Sequence, residues 1–427
     1  MNNSFFEIYK GTIVAFLIKS FSILFGYLFV YLITYYTGSE GMGVYSICNA
    51  FLLVFTVISV LGLDSASIRF ISENDNINRS KLIYLKILSI VVPFSLLISF
   101  LFYCLSPFFT IFLNDRTILY SLKYMSFGIL PLSIIYINSE CFRGFKNISL
   151  YTIFKFTLIP FLSSIILFLL NYFGNNNIEI LIIAYLISIC IVCIISTSIL
   201  FNKMKISSFP KSFKTISSKY LLNISFPMLL TTSMFYIIQW TDTLVLGYYE
   251  STVNIGIYNV AIKMSMASSI ILFSINSISA PKYSKLFFSN KIDEFISTVK
   301  FSSKLIFWLS CPIIAVIFFN SEIFLGLFGV EFINAKFSLW ILLLGQFFNI
   351  LCGSVGYILM MTGNEKILRN IIILSALINI ILNIILIPQF GILGAAIAST
   401  SSMILWNMTA LLYIYNKYNF ITINIFK

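Results

Sequence analysis

The sequence contains no histidine, and only 15 of its 427 residues are acidic. The first absence removes the side chain that most often shuttles protons or acts as a general base near neutral pH. The second leaves no carboxylate-rich soluble site of the kind a membrane glycan polymerase or glycosyltransferase needs. No Gly-x-x-x-x-Gly-Lys-Ser/Thr pattern occurs, which disfavours ATP-driven transport by this chain alone. Large connectors are missing too: the longest, near 202–219 and 281–300, are too short to be a catalytic domain. The seven cysteines, Cys48, Cys104, Cys141, Cys190, Cys193, Cys311 and Cys352, fall inside apolar runs or beside one face, which argues against a disulfide framework. Cys190 and Cys193 form a Cys-x-x-Cys in mid-run with no second pair beside it, so neither a metal nor a cofactor is expected.

What the chain has in quantity is apolar surface. Hydrophobic residues make up 59% and charged residues 10%, and the mean hydropathy is +0.99. A soluble core cannot hide that much, whereas a helix of about 20 apolar residues crosses a ~30 Å hydrocarbon layer with its backbone hydrogen bonds satisfied. The runs predict an all-α integral membrane protein with spans near 12–36, 44–66, 82–106, 117–138, 150–171 and 178–201, then 220–244, 257–280, 301–321, 337–361, 367–387 and 392–415. The first run lacks a small-residue cleavage site and is too long for a signal-peptide core, so it is expected to remain as the first span.

Orientation follows from the cations. All Lys and Arg except Arg116, Lys336 and the in-span Lys19, Lys123 and Lys263 fall on one set of alternate connectors, while Glu40, Asp115, Glu179, Glu250 and Glu331 occupy the other. Positive charge marks the cytoplasmic side, so both termini are expected there, in a multi-pass protein of the cell membrane. The net charge of +12 is spread over all the inner loops and forms no single patch. Anionic membrane lipids are therefore its expected partners, and nucleic acid is not.

The basic linker 202–219 separates six expected spans from six, giving an N-terminal lobe 1–201 and a C-terminal lobe 220–427. Laying the second half over the first puts Tyr35, Tyr36, Gly43 and Tyr45 on Tyr248, Tyr249, Gly256 and Tyr258 without a gap, and Phe173-Gly174 resembles Phe390-Gly391. Six spans return the chain to its starting side, so the lobes are expected to be pseudo-symmetric about an axis along the membrane normal and to enclose a central cavity. The segment 281–300 mixes Lys282, Lys285 and Lys291 with Phe287, Phe288 and Phe295, and reads as an amphipathic inner-face segment, as an extended loop or as a span continuing past the bilayer.

Several stretches carry a family likeness. Gly38-Ser-Glu-Gly-Met-Gly-Val-Tyr45, Gly62-Leu-Asp-Ser-Ala-Ser-Ile-Arg-Phe70, Arg143-Gly-Phe-Lys-Asn147, Asp242-Thr-Leu-Val-Leu-Gly-Tyr248, Gly256-Ile-Tyr-Asn259 and the run from Met361 through Ala396 occur in an order and spacing that resembles the Wzx-type polysaccharide flippases. These form one branch of the multidrug/oligosaccharidyl-lipid/polysaccharide exporter superfamily. The resemblance implies a two-lobed carrier that moves polyprenyl-diphosphate-linked oligosaccharide from the cytoplasmic to the outer leaflet by alternating access. Energy is expected from the membrane potential or from an ion gradient, with H+ or Na+ as the candidate coupling ion, and polysaccharide-assembly proteins are candidate partners. The nearest alternative is a drug or cation antiporter of the multidrug-and-toxin-extrusion type, which favours buried carboxylates; a peptidoglycan-precursor flippase generally has two further spans.

A diphosphate crosses hydrocarbon only where cations replace its hydration. Lys19, about two turns into the first span, is too deep to snorkel easily and is the first cavity candidate. Lys263 and Asp242 lie in adjacent spans and read as a structural salt bridge or a gate, while Lys123 is near enough to the outer end of its span to snorkel. Asp64, Arg69 and Lys155 are candidates for an inner gate, with an ordinary interfacial ion pair as the alternative. By analogy with superfamily relatives, the first, second, seventh and eighth spans line the cavity. Gln239, Asn276, Gln346, Asn349, Asn379 and Asn383 are candidates for sugar hydroxyls or for helix-to-helix hydrogen bonds.

Overall fold

The computed structural model describes residues 2–72, 77–113, 115, 118–172, 177–206 and 217–422; the side chains of 2–17, 19, 69, 227, 230–232 and 235 lie outside that description. The described residues are nearly all helical and contain no strand. The N-terminal half is built from α1 (Asn2–Val60), α2 (Leu63–Ser72), α3 (Ile77–Phe112), α4 (Leu119–Ser126), α5 (Ile129–Gly144), α6 (Ile148–Thr152), α7 (Leu158–Tyr172) and α8 (Ile178–Lys203). There follow α9 (Ser218–Tyr249), α10 (Thr252–Met266), α11 (Ile270–Phe288), α12 (Ile292–Phe319), α13 (Ser321–Gly326), α14 (Lys336–Cys352), α15 (Val355–Met361), α16 (Glu365–Phe390) and α17 (Ile392–Tyr418).

Packing divides the chain into two compact units, Met1–Tyr236 and Ile237–Lys427. The division falls inside α9, because the two ends of that helix have different neighbours. Near its start the Tyr220 ring lies 5.9 Å from that of Phe70, while near its end Asp242 is bonded to α10, α16 and α17. Of the expected linker 202–219, residues 207–216 lie outside the description.

Nine described helices are long and apolar enough to cross a membrane, or ten when the bent pair Leu119–Ser126 and Ile129–Gly144, at 45°, is taken as one span. The sequence reading expected twelve. One difference has a clear physical origin at Gly38, whose φ of 65° and ψ of −162° interrupt α1. In a straight helix, Phe29 and Tyr45 would stand about 24 Å apart at 1.5 Å per residue. Their rings are 5.5 Å apart, and each lies against Tyr185. The chain therefore doubles back at Gly38, and α1 holds two antiparallel limbs that match the first two expected spans.

The helices are inside-out by the standards of a soluble protein. On α3, Ser95, Ile98, Phe102, Ser106 and Thr110 form a buried row, while Leu96, Phe100, Phe108 and Ile111 are exposed. Lipid is as apolar as leucine, so large side chains gain nothing by turning inward, and small residues let helices approach closely. Their hydroxyls are satisfied locally: Ser106 donates to the Phe102 carbonyl at 2.8 Å, Ser139 to Ile135 at 2.7 Å and Ser188 to Ala184 at 2.7 Å.

One close approach with a positive φ is at Gly62, between α1 and α2. Its φ is +70°, and a Cβ there would sit 2.4 Å from the Ser225 carbonyl oxygen and 2.7 Å from the Leu229 backbone nitrogen. Gly363 has a similar φ of +75° but open space around it. Gly363→Ala should therefore cost only the left-handed conformation, about 1–2 kcal/mol, while Gly62→Ala adds a backbone clash to it. Thermal unfolding in detergent checks the order: Gly62→Ala should melt several degrees below Gly363→Ala, and equal melting temperatures would refute the close packing of α9 on Gly62.

Candidate functional site

Two polar clusters stand out, one within each compact unit. The first forms around Lys155, and local chemistry explains its geometry. After the left-handed Lys146, with φ 60°, Asn147 caps α6 by accepting the Leu150 N–H at 3.1 Å. The helix then widens into a π-helical turn, Ile153–Thr157, before continuing as α7. Pro160 has no N–H to give the carbonyl of Phe156 four residues earlier. That carbonyl instead accepts a hydrogen bond from Ser22 of α1 at 2.7 Å. The Thr157 hydroxyl reaches back five residues to the Thr152 carbonyl at 3.3 Å, in keeping with the wider turn. Such turns are rare in α-helices and concentrate at functional sites.

Lys155 sits at the centre of this turn. Its ammonium is paired with Glu140 of α5 and lies 5.3 Å from the ring centre of Tyr151, 5.7 Å from Tyr136 and 6.0 Å from Phe156. Aromatic faces stabilise a cation that water reaches poorly. Its side chain keeps 17% exposure against 4% for Glu140, so the cation retains an opening and the carboxylate does not. The second carboxylate oxygen of Glu140 is buried without a hydrogen bond, 3.6 Å from the guanidinium of Arg143. Asp64, half-buried in the first turn of α2, is within electrostatic reach of both Lys155 and Glu140. Two of the three inner-gate candidates, Asp64 and Lys155, thus share one site. The side chain of the third, Arg69, lies outside the described residues, as does that of Lys19, whose position in α1 is one turn before Ser22.

The second cluster surrounds Asp242 of α9. Its carboxylate accepts hydrogen bonds from Tyr258 of α10 at 2.9 Å, from Asn383 of α16 at 2.7 Å and from Ser399 of α17. The network continues from Asn383 to Asn379 at 3.1 Å and from Asn379 to Ser402 at 3.2 Å. The side-chain oxygen of Asn383 is buried without a hydrogen bond. Asp242 is 2% exposed, and the ion pairs seen among the described residues do not include it. Lys263, near the end of α10, is exposed, and no ion pair between it and Asp242 is seen among the described residues. Lys123, on α4, lies 5.3 Å from the ring centre of Tyr103, an ordinary interfacial contact.

The asparagines suggested by the sequence divide accordingly. Asn379 and Asn383 belong to the Asp242 network. Gln346 instead accepts from Ser269 at 2.5 Å, and Asn276 accepts from Ser354; both are helix-to-helix bonds. Glu140, Tyr136 and Tyr151 are the functional candidates that sequence reasoning missed. Glu140 lies just beyond the expected end of the fourth span; its only signal is that it is the one acidic residue in a connector that also holds Arg143 and Lys146.

Comparison with known families decides the wider relationship. The model for "Polysaccharide biosynthesis protein" matches residues 8–287. The chain belongs to this family. The chain also matches the MatE family model over residues 227–385. It is 27% identical over 391 residues to an uncharacterised membrane protein of Methanocaldococcus jannaschii, covering 83% of this chain and 74% of that one. It is also 26% identical over 202 residues to the probable low-salt glycan biosynthesis flippase Agl15 of Haloferax volcanii, covering 47% of this chain and 42% of that protein.

Solved structures share the fold of this family member. A multidrug resistance MATE transporter in its inward-facing conformation superposes with a TM-score of 0.76 at 13% identity, over 96% of this chain and 98% of that one. The lipid II flippase MurJ, inward closed, gives 0.77 at 18% identity, over 94% and 87%. The chain is thus a multi-pass membrane protein, and its likeness to these solved carriers is one of fold.

The π-turn account has its own test. Ser22→Ala should cost about 1–2 kcal/mol by orphaning the Phe156 carbonyl. Pro160→Ala restores an N–H partner, so Ser22→Ala should cost much less in that background. Equal losses in both backgrounds, measured by thermal unfolding, would show that the Ser22 bond does not compensate for Pro160.

Proposed function

We propose that the protein is a flippase for polyprenyl-diphosphate-linked oligosaccharide, carrying it from the cytoplasmic to the outer leaflet of the cell membrane by alternating access for surface polysaccharide synthesis. The observation that carries the reading is Lys155: a charged ammonium held among aromatic rings within an apolar helical bundle, with one side open. A cation so placed is costly unless it serves an anion, and the pyrophosphate link is the anionic part of such a lipid. Lys19 and Lys263 are assigned to the same cargo, and Lys123 to a lesser role at the outer end; the glycan meets hydroxyl and amide groups. Both termini are placed in the cytoplasm on the distribution of Lys and Arg, and the two halves act as lobes 1–201 and 220–427 joined by the basic linker.

Asp242 is assigned to coupling. A carboxylate in hydrocarbon with only neutral donors around it is costly unless it takes up a proton or a cation. The uncommitted oxygen of Asn383 beside it offers a second ligand, and oxygen ligands of this kind suit Na+ or H+ and not a softer metal. That same carboxylate, together with the match to the MatE model, supports the second reading of a drug or cation antiporter.

Both readings meet in one experiment. Purified protein in vesicles should move a fluorescent polyprenyl-diphosphate glycan between leaflets, with Lys155→Met or Lys19→Ala slowing it at least about tenfold, the scale of one lost charge-assisted contact. Asp242→Asn should leave binding intact and abolish the acceleration produced by an imposed Na+ or pH gradient. Full flipping by both lysine variants would remove Lys155 and Lys19 from the mechanism, and extrusion of organic cations without glycolipid movement would reject the flippase reading in favour of the antiporter.

A further inference from the structure

A buried carboxylate beside the lysine of an anion site poses a problem, because it repels the cargo the lysine attracts. Glu140 is such a group. One of its oxygens is paired with Lys155, and the other is buried without a hydrogen bond, 3.6 Å from the guanidinium of Arg143. The two cations differ in setting: the Lys155 side chain is 17% exposed and that of Arg143 is 52% exposed. Both lie against one ring, Tyr151, at 5.3 Å and 5.2 Å from its centre. Glu140 therefore stands between an inner and an outer cation, bonded to the first and within short reach of the second.

We propose that Glu140 is a resident anion: in the empty carrier its carboxylate fills the place on Lys155 that a diphosphate oxygen takes in the loaded one, and once displaced it turns to Arg143. The proposal rests on the flippase reading above and deepens it. A carboxylate oxygen and a phosphate oxygen accept the same kind of charge-assisted hydrogen bond from an ammonium, so exchange replaces one such bond with another. The Lys155–Glu140 pair remains neutral while the empty carrier resets, when an unpaired ammonium among apolar helices would be costly. Recapture of Lys155 by Glu140 then helps to expel the delivered lipid. Arg143, at the exposed end, lowers the cost of displacement by receiving the carboxylate.

The test uses the full chain in lipid nanodiscs, titrated with farnesyl diphosphate. Glu140→Gln removes the competitor while keeping the shape, and should bind the probe at least about tenfold more tightly, as expected when a close charge pair no longer competes. Its turnover in vesicles should be slower because release loses its drive. Arg143→Ala should weaken binding several-fold in the parent and have no effect in the Glu140→Gln background, a coupling that a merely structural role would not produce. If the glutamine variant does not fold, Glu140→Asp, which draws the carboxylate back by one methylene, should also bind more tightly than the parent. Unchanged or weaker binding by a folded Glu140 variant, or an Arg143→Ala effect that is the same in both backgrounds, overturns the proposal. Failure of the parent protein to bind farnesyl diphosphate at all would instead sink the flippase reading, so the two failures are distinguishable.

Discussion

A charge placed among apolar helices must be matched, and nearly everything distinctive in this protein follows from how it meets that demand. Hydrocarbon offers no water to stabilise an ammonium or a carboxylate, so an in-span charge persists only beside a counter-charge, a set of dipoles or an opening. Lys155 has all three: Glu140, the ring faces around it and its residual exposure. Among the described residues, Asp242 is met by dipoles, from Tyr258, Asn383 and Ser399. On the proposed reading, the cation of the N-terminal unit receives the anionic cargo and the anion of the C-terminal unit takes the coupling ion.

The same demand shapes the backbone. Pro160 frees one carbonyl, and Ser22 from another helix supplies the missing donor, so a local defect becomes a contact between α1 and the Lys155 turn. Gly38 gives α1 its reversal and Gly62 lets α9 approach a backbone that a Cβ would hold away. Some serines on the buried faces, among them Ser106 and Ser139, return their hydroxyls to their own helix carbonyls, which leaves those contacts apolar and close.

Hydropathy and charge made the fold legible from the sequence, because lipid imposes length and loop charge on each span whatever its neighbours are. The glycine turns at Gly38 and Gly391 were readable for a similar local reason; both have positive φ. The site was only half legible. Asp242 and Lys155 announce themselves as charges in or beside apolar runs, but the partners of Asp242 lie as far as 157 residues along the chain. Glu140 was hidden by its place just past a span, and the π turn by the fact that its wider register leaves no mark in hydropathy. The limbs of α1 follow the same hydropathy rule: the two spans expected from the sequence are its two limbs, and the Gly38 dihedrals and the Phe29–Tyr45 contact show the reversal between them.

The central claim is that a diphosphate-bearing lipid is received at the Lys155 turn of the N-terminal unit. Photo-crosslinking tests it directly, using a polyprenyl-diphosphate analogue with its reactive group beside the pyrophosphate and mass-spectrometric mapping of the adducts in native membranes. The account predicts labelling of the segments around Tyr136–Arg143 and Tyr151–Phe156, suppressed by excess unlabelled polyprenyl diphosphate. Labelling confined to the lipid-facing rows, such as that of Leu96, Phe100 and Phe108, and insensitive to competitor would contradict it.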